Sequence, residues 1–200
     1  GGATIPLLGW GTGFGDFDLD GDVDLVVFDG HVYPEADLPG TDTSYAQLDF
    51  LFENDGLAHF SMRPLSALGP AVSRASAQAD LDGDGDLDLV ALRVEGAVRV
   101  LLNRAPHDAA HHWLGVRLRS RGGNRFALGA RVTLSWKGGS ASAEMRTAGG
   151  YQAAVPPELH FGLGAVGAVE RLRVRWPDGR EEEFEQREVD RMLLLEERAP

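Results

Sequence analysis

Along this chain apolar and polar residues alternate mostly with a period of two, and no stretch shows convincing helical periodicity. Residues 10–15 alternate bulky and small side chains, which predicts a strand running into a tight turn. Apolar strands are expected at 25–28, 48–52 and 57–62, with Asn54-Asp55-Gly56 as the hairpin turn between the last two. A long irregular segment rich in Pro, Gly, Asp and Thr, from Gly30 to Tyr45, separates the first pair. Loops of this length usually carry function or disorder. A second, shorter unit follows, with strands expected at 74–79, 89–94 and 97–102.

What makes these two units copies of one another is a nine-residue stretch. It reads Asp16-Phe-Asp-Leu-Asp-Gly-Asp-Val-Asp24 and, 64 residues later, Asp80-Leu-Asp-Gly-Asp-Gly-Asp-Leu-Asp88. Each copy is followed at once by an apolar strand. Small antiparallel units that recur in this way suggest propeller blades. Two blades cannot close a ring of roughly four to eight, so either further blades lie upstream or this piece is an open fragment. The chain begins Gly-Gly-Ala-Thr without an initiator Met, and is expected to be a cut-out or processed piece.

Residues 106–112 read as a polar linker, after which the Asp loops stop. Strands are expected at 113–118, 130–136, 143–148, 160–163, 172–176, 182–186 and 192–196, with Gly-rich turns between them. This spacing predicts an antiparallel β-sandwich or barrel, of which the sandwich is the expectation taken forward. The expected fold is all-β: two calcium-binding, propeller-type blades over residues 1–106, then a sandwich domain over 107–200.

Five carboxylates in nine residues repel one another unless a cation neutralises them. An all-oxygen donor set suits Ca²⁺, which takes six to eight oxygens at roughly 2.3–2.6 Å. The opening Asp-x-Asp-x-Asp-Gly also occurs in EF-hands, but those need a Glu at position 12 and flanking helices. Position 12 here is Val27 or Ala91, and both flanks are strand-like. Two Ca²⁺ sites are therefore expected, one from Asp16, Asp18, Asp20, Asp22 and Asp24, the other from Asp80, Asp82, Asp84, Asp86 and Asp88. Positions 1, 3 and 5 would supply side-chain oxygens and position 7 a backbone carbonyl. Position 9 would close the site. Gly21 and Gly85 stand at position 6, where the loop turns sharply and a Cβ would clash.

The formal charge of −12 includes ten of the 31 acidic residues in these loops, so two bound Ca²⁺ would bring it to −12 + 4 = −8. An acidic chain without a basic stripe argues against nucleic acid as a partner. The absence of cysteine excludes disulfides, thiol catalysis and thiolate metal sites. No apolar run is long enough for a membrane-spanning helix.

Other candidate chemistry is sparse. Gly9-Trp-Gly-Thr-Gly-Phe-Gly15 does not fit a dinucleotide-binding fingerprint in any register, and no helix follows it. His107, His111 and His112 are close in sequence, but they lie in the linker stretch and are read as linker residues rather than a zinc site. His160 is read as a satisfied core or turn residue. His31 and Tyr33, in the long loop, are better placed for a functional surface. Arg117, Arg119, Arg121, Arg125 and Arg131 read as a solvated sandwich face with ion pairs, with an anion-binding patch as the alternative.

The Asp loop with its following strand resembles the calcium-binding FG-GAP or VCBS repeat of integrin-like propellers. Gly30-His-Val-Tyr-Pro34, Leu51-Phe-x-Asn54 and Ser73-Arg74 are similar to the cartilage acidic protein family. The C-terminal part resembles its companion, the ASPIC/UnbV domain. The matching residues are His112-Trp113-Leu114, Asn124-Arg125, Gly129-Ala-Arg-Val132, Gly149-Gly-Tyr151, His160-Phe-Gly-Leu-Gly164 and Trp176-Pro-Asp-Gly179. The resemblance implies calcium-dependent propeller architecture and an extracellular, periplasmic or cell-envelope setting. It implies no common reaction.

The resulting expectation is a calcium-stabilised, non-catalytic adhesion or interaction module with a protein or carbohydrate partner. The competing reading is an enzyme, biosynthetic or hydrolytic, with its site at the propeller channel or the blade–sandwich junction. Its first suspects are His31, Tyr33 and His160. A carbohydrate-binding module would present exposed aromatics beside calcium, for which Tyr33, Tyr45 and Trp10 are candidates.

Overall fold

A computed structural model describes residues 4–104, 110–185 and 188–199. The expected boundary between residues 106 and 107, and His107 with it, lie outside the described residues. Within these segments the chain is all-β, apart from short 3-10 turns at Pro34–Asp37 and Ser66–Leu68. Among the described residues no helix is long and apolar enough to cross a membrane.

The first sheet is an antiparallel meander of β1 (Gly9–Gly15), β2 (Asp24–Asp29), β3 (Phe50–Asn54) and β4 (Phe60–Pro64), in chain order. The second sheet repeats the first three of these with β5 (Ser73–Ala79), β6 (Asp88–Arg93) and β7 (Arg99–Leu101). In each, the Asp loop joins the first two strands. The sheets stack through Val26, Phe28 and Leu51 of one and Leu87, Leu89 and Ala91 of the other.

This stacking explains the small residues of β1. Gly11 and Gly13 let β5 approach so closely that a Cβ on Gly13 would lie 2.4 Å from Gln78 Oε1. In that space Gln78 Nε2 donates to the Phe14 carbonyl oxygen at 2.9 Å.

The C-terminal half forms β8 (His112–Arg119), β9 (Arg131–Trp136), β10 (Gly139–Glu144), β11 (Ala148–Gly150), β12 (Ala153–Ala154), β13 (Glu158–Gly164), β14 (Arg171–Arg175), β15 (Glu181–Phe184) and β16 (Arg191–Glu196). Sheet β10-β9-β14-β15 packs on sheet β13-β8-β16. The core between them holds Leu114, Val116, Leu134, Phe161, Leu172 and Trp176. Among the described residues none of the sheets closes on itself.

Two details differ from expectation. The strand expected at 143–148 divides into β10 and β11, because buried Met145 leaves the hairpin to exchange backbone hydrogen bonds with Ala130 and Gly129. The sandwich is not wholly antiparallel: β16 runs parallel to β8, from Arg191 opposite Leu114 to Glu196 opposite Arg119. That pairing joins the last strand to the first of this half, a long-range choice that local alternation does not encode.

Candidate metal centre

Both Asp loops fold alike. Asp16, Asp18 and Asp24 each direct one carboxylate oxygen into a cluster whose atoms lie within 4.8 Å of one another, and Asp80, Asp82 and Asp88 do the same. These are positions 1, 3 and 9. Gly21 and Gly85, at position 6, have φ of +99° and +98°, a left-handed conformation open to glycine at little cost.

A shared scaffold of backbone N–H groups holds the carboxylates. Position 1 accepts from the position 6 amide: Gly21 N–H to Asp16 Oδ2 at 2.9 Å, and Gly85 N–H to Asp80 Oδ2 at 3.1 Å. Position 9 accepts from position 2, Phe17 N–H to Asp24 at 3.0 Å and Leu81 N–H to Asp88 at 2.8 Å. Its second oxygen accepts from an asparagine after the third strand has crossed the sheet, Asn54 N–H at 2.9 Å or Asn103 N–H at 2.7 Å.

Asp20 and Asp84 at position 5 lie outside the converging trios. Each turns an oxygen back onto the loop, to the amides of Asp22 (2.8 Å) and Asp86 (3.1 Å). Asp22 packs against the hairpin turn, where a Cβ on Gly56 would lie 2.4 Å from its Oδ2, and Asp86 is buried.

The two clusters differ in their surroundings. In the first, Asp16 and Asp24 are buried, and Asp16 Oδ1 has no hydrogen-bond partner. Burial pushes the Asp16 carboxyl up to about 7, with Asp20, Asp18 and Asp24 adding repulsion against the Gly21 amide. Burial likewise raises Asp24 to about 6, against the Asn54 and Phe17 amides. In the second, the Arg104 guanidinium pairs with both Asp82 and Asp84. That pairing holds the exposed Asp82 carboxyl below its ordinary range.

The donor set fits a hard cation. Every converging atom is a carboxylate oxygen, and the buried Asp16 Oδ1 is left without a donor. Such an orphan costs about 1–3 kcal/mol or more when charged, and a cation would remove that cost.

The C-terminal half supplies a second wall to both loops. Gly164 N–H donates to the Leu19 carbonyl at 2.9 Å, and His111 Nδ1 donates to the Asp18 carbonyl at 3.0 Å. On the second loop, His160 Nε2 donates to the Gly85 carbonyl at 2.7 Å. The Trp113 ring stacks on His160 at 5.7 Å and fills the space a Gly85 side chain would need. His160, Gly162 and Gly164 alternate along β13, so one face of one strand reaches both loops. Burial lowers the His160 pKa, against the Gly85 carbonyl that its ring N–H meets.

The other candidates are dispersed. His112 pairs with Asp190 at 2.8 Å while His111 faces Asp18, so these neighbours serve different partners. His31 and Tyr33 lie together on the surface, with ring centroids 6.1 Å apart. Among the described residues no hydrogen bond or ring contact joins either to His160. Trp10 is half-buried, covered by Arg74 at 4.6 Å and Tyr151 at 5.1 Å, with its indole N–H on the Gly30 carbonyl. The Tyr45 amide donates to Asp37. Arg117, Arg119 and Arg131 form cross-strand ion pairs with Glu158, Glu196 and Glu144.

Sequence reasoning missed a second acidic feature. Asp29 and Asp49 are buried between the first two sheets, where Asp49 accepts from the Asp29 amide at 2.9 Å and the Ser73 hydroxyl at 3.1 Å. Burial raises both carboxyls to about 6. Each stands apart from other acids in sequence, so no local pattern marks it.

No curated protein matches the chain. Residues 120–200 match the family model described as ASPIC and UnbV, which supports an ASPIC/UnbV-type domain in this C-terminal part of the chain.

Proposed function

We propose that this chain is a calcium-stabilised, non-catalytic interaction module. In this reading the first two sheets are FG-GAP/VCBS-type propeller blades, each Asp loop holds one Ca²⁺, and the ASPIC/UnbV domain packs against both loops. The observation that carries the reading is the converging trio of Asp16, Asp18 and Asp24, in which the buried Asp16 Oδ1 has no hydrogen-bond partner among the described residues. A bound Ca²⁺ would supply the positive charge that offsets the repulsion within each trio. The chain's own residues do the rest: Gly21 and Gly85 shape the turns, and the Asn54 and Asn103 amides orient the position 9 carboxylates.

An extracellular, periplasmic or cell-envelope setting suits this reading, because calcium there is in the range that saturates weak sites of about 10⁻⁴–10⁻³ M. The partner is a protein or a carbohydrate. Exposed Tyr33, beside His31 on the long loop, belongs to the surface that would meet it. Titration calorimetry of the chelator-treated chain is expected to show two equivalents of Ca²⁺, reduced to one in Asp16→Asn. Absence of binding at millimolar calcium would overturn the reading.

A further inference from the structure

Away from the Asp loops, three segments of the C-terminal half converge on a cavity of about 480 Å³. They are the loop at 120–124 after β8, the turn at 176–180 between β14 and β15, and residues 197–198 after β16. Backbone hydrogen bonds fix two of them: Trp176 N–H donates to the Arg180 carbonyl at 2.8 Å, and Glu197 N–H to the Arg119 carbonyl at 2.9 Å. The volume falls within the range of small-ligand sites, roughly 300–1,000 Å³.

The chain carries a formal charge of −12, yet the arginines lining this cavity, Arg121, Arg180 and Arg198, outnumber its acids, Asp178 and Glu197. Both acids are already engaged. Buried Glu197 accepts from the Ser120 hydroxyl at 2.7 Å, the Arg121 amide at 2.9 Å and the Arg180 guanidinium. Asp178 accepts from the Arg180 amide at 3.0 Å and from its Nε at 2.7 Å. Arg180 is thereby held in place, while its Nη1 keeps no partner among the described residues. Arg198 lies over the Phe184 ring at 4.7 Å and comes no closer to Glu182 than 3.7 Å by its side chain. The Arg121 guanidinium makes no hydrogen bond or ion pair among the described residues, unlike those of Arg117, Arg119 and Arg131. The cavity has spent its acceptors and kept donors and positive charge.

We propose that this cavity binds a small molecule that carries an oxyanion, a carboxylate or a phosphate, on a body the size of a sugar ring. Guanidinium groups pair such oxygens through charge-assisted and often bidentate hydrogen bonds. The uncommitted Arg121 supplies the main contact, and the fixed Arg180 and the Arg198 beside it add donors. A bare anion would leave most of the volume unfilled, so the ligand needs a body as well as a charge. The site does not depend on cation binding.

The test is titration calorimetry of the full chain with glucuronate, glucose 6-phosphate, uncharged glucose and inorganic phosphate. Glucuronate or glucose 6-phosphate should bind with one equivalent, and the tighter of the two identifies the oxyanion. Glucose, which lacks the charge, and inorganic phosphate, which lacks the body, should each bind more weakly by roughly tenfold or more, the loss of a charge-assisted contact or of the body's own contacts. Arg121→Ala removes an exposed side chain without a partner, so its melting temperature should match wild type while affinity falls by roughly tenfold. Absence of binding by both charged sugars at millimolar concentration would overturn the proposal. So would inorganic phosphate that binds as tightly as they do, or binding undiminished in Arg121→Ala.

Discussion

Gly162 sits directly against Asp16: a Cβ on Gly162 would lie 1.8 Å from Asp16 Oδ2. A glycine of the C-terminal half thus defines the space beside a carboxylate of the first Asp loop, although the two lie in different halves of the chain. Gly162→Val should force this contact apart and destabilise the protein by about 1–3 kcal/mol, as overpacking of a tight site generally does. Urea denaturation would measure the loss. A midpoint equal to wild type would mean that β13 and the loop do not meet.

Arg104 and its two carboxylates make the second loop an already partly neutralised site. Replacing it in Arg104→Gln should strengthen cation binding at that loop by roughly two- to fivefold, the equivalent of one exposed ion pair. The first loop should be unaffected. Trp113 lies against Gly85, so terbium luminescence sensitised by this ring reports the second loop preferentially. Weaker terbium binding in the variant would show that Arg104 supports the site rather than competing for it.

Asp29 and Asp49 set a pH dependence away from the Asp loops. Burial raises both carboxyls from 3.8 to about 6, so they hold their protons more tightly folded than unfolded. Their contribution to stability is fully present below about 4 and is lost as pH rises through about 6. Arg93 and Arg99 near Asp49 oppose this only in part. Asp29→Asn, which cannot ionise, should flatten that decline and raise stability at pH 7 by the order of 1–3 kcal/mol. Thermal melts from pH 4 to 7 would check this; parallel curves for variant and wild type would refute it.

Much of this architecture was legible locally. The Asp loops announced themselves by spacing, their position 6 glycines by the turn they must make, and most strands by alternation. What was not legible depended on long-range contact. His160 meets Gly85 across 75 residues, and Gly162 meets Asp16, with no pattern linking either pair. Asn54 and Asn103 serve equivalent roles, yet they fall at different distances from their loops because the irregular segment lengthens only the first unit. Asp29 and Asp49 stand alone in the sequence, and it is the packing of the first two sheets that buries them.

If the two Asp loops hold calcium, as proposed, the fold draws stability from it. Thermal melting of the full chain in excess Ca²⁺ and in excess EGTA tests it most directly. At a calcium concentration about a hundredfold above the dissociation constant, each site should add about 2.7 kcal/mol. For a chain of this size that corresponds to a rise of the order of 10 °C with both sites filled. That rise is expected in wild type, with most of it lost in Asp16→Asn combined with Asp80→Asn. Superimposable melts in calcium and in EGTA would contradict it.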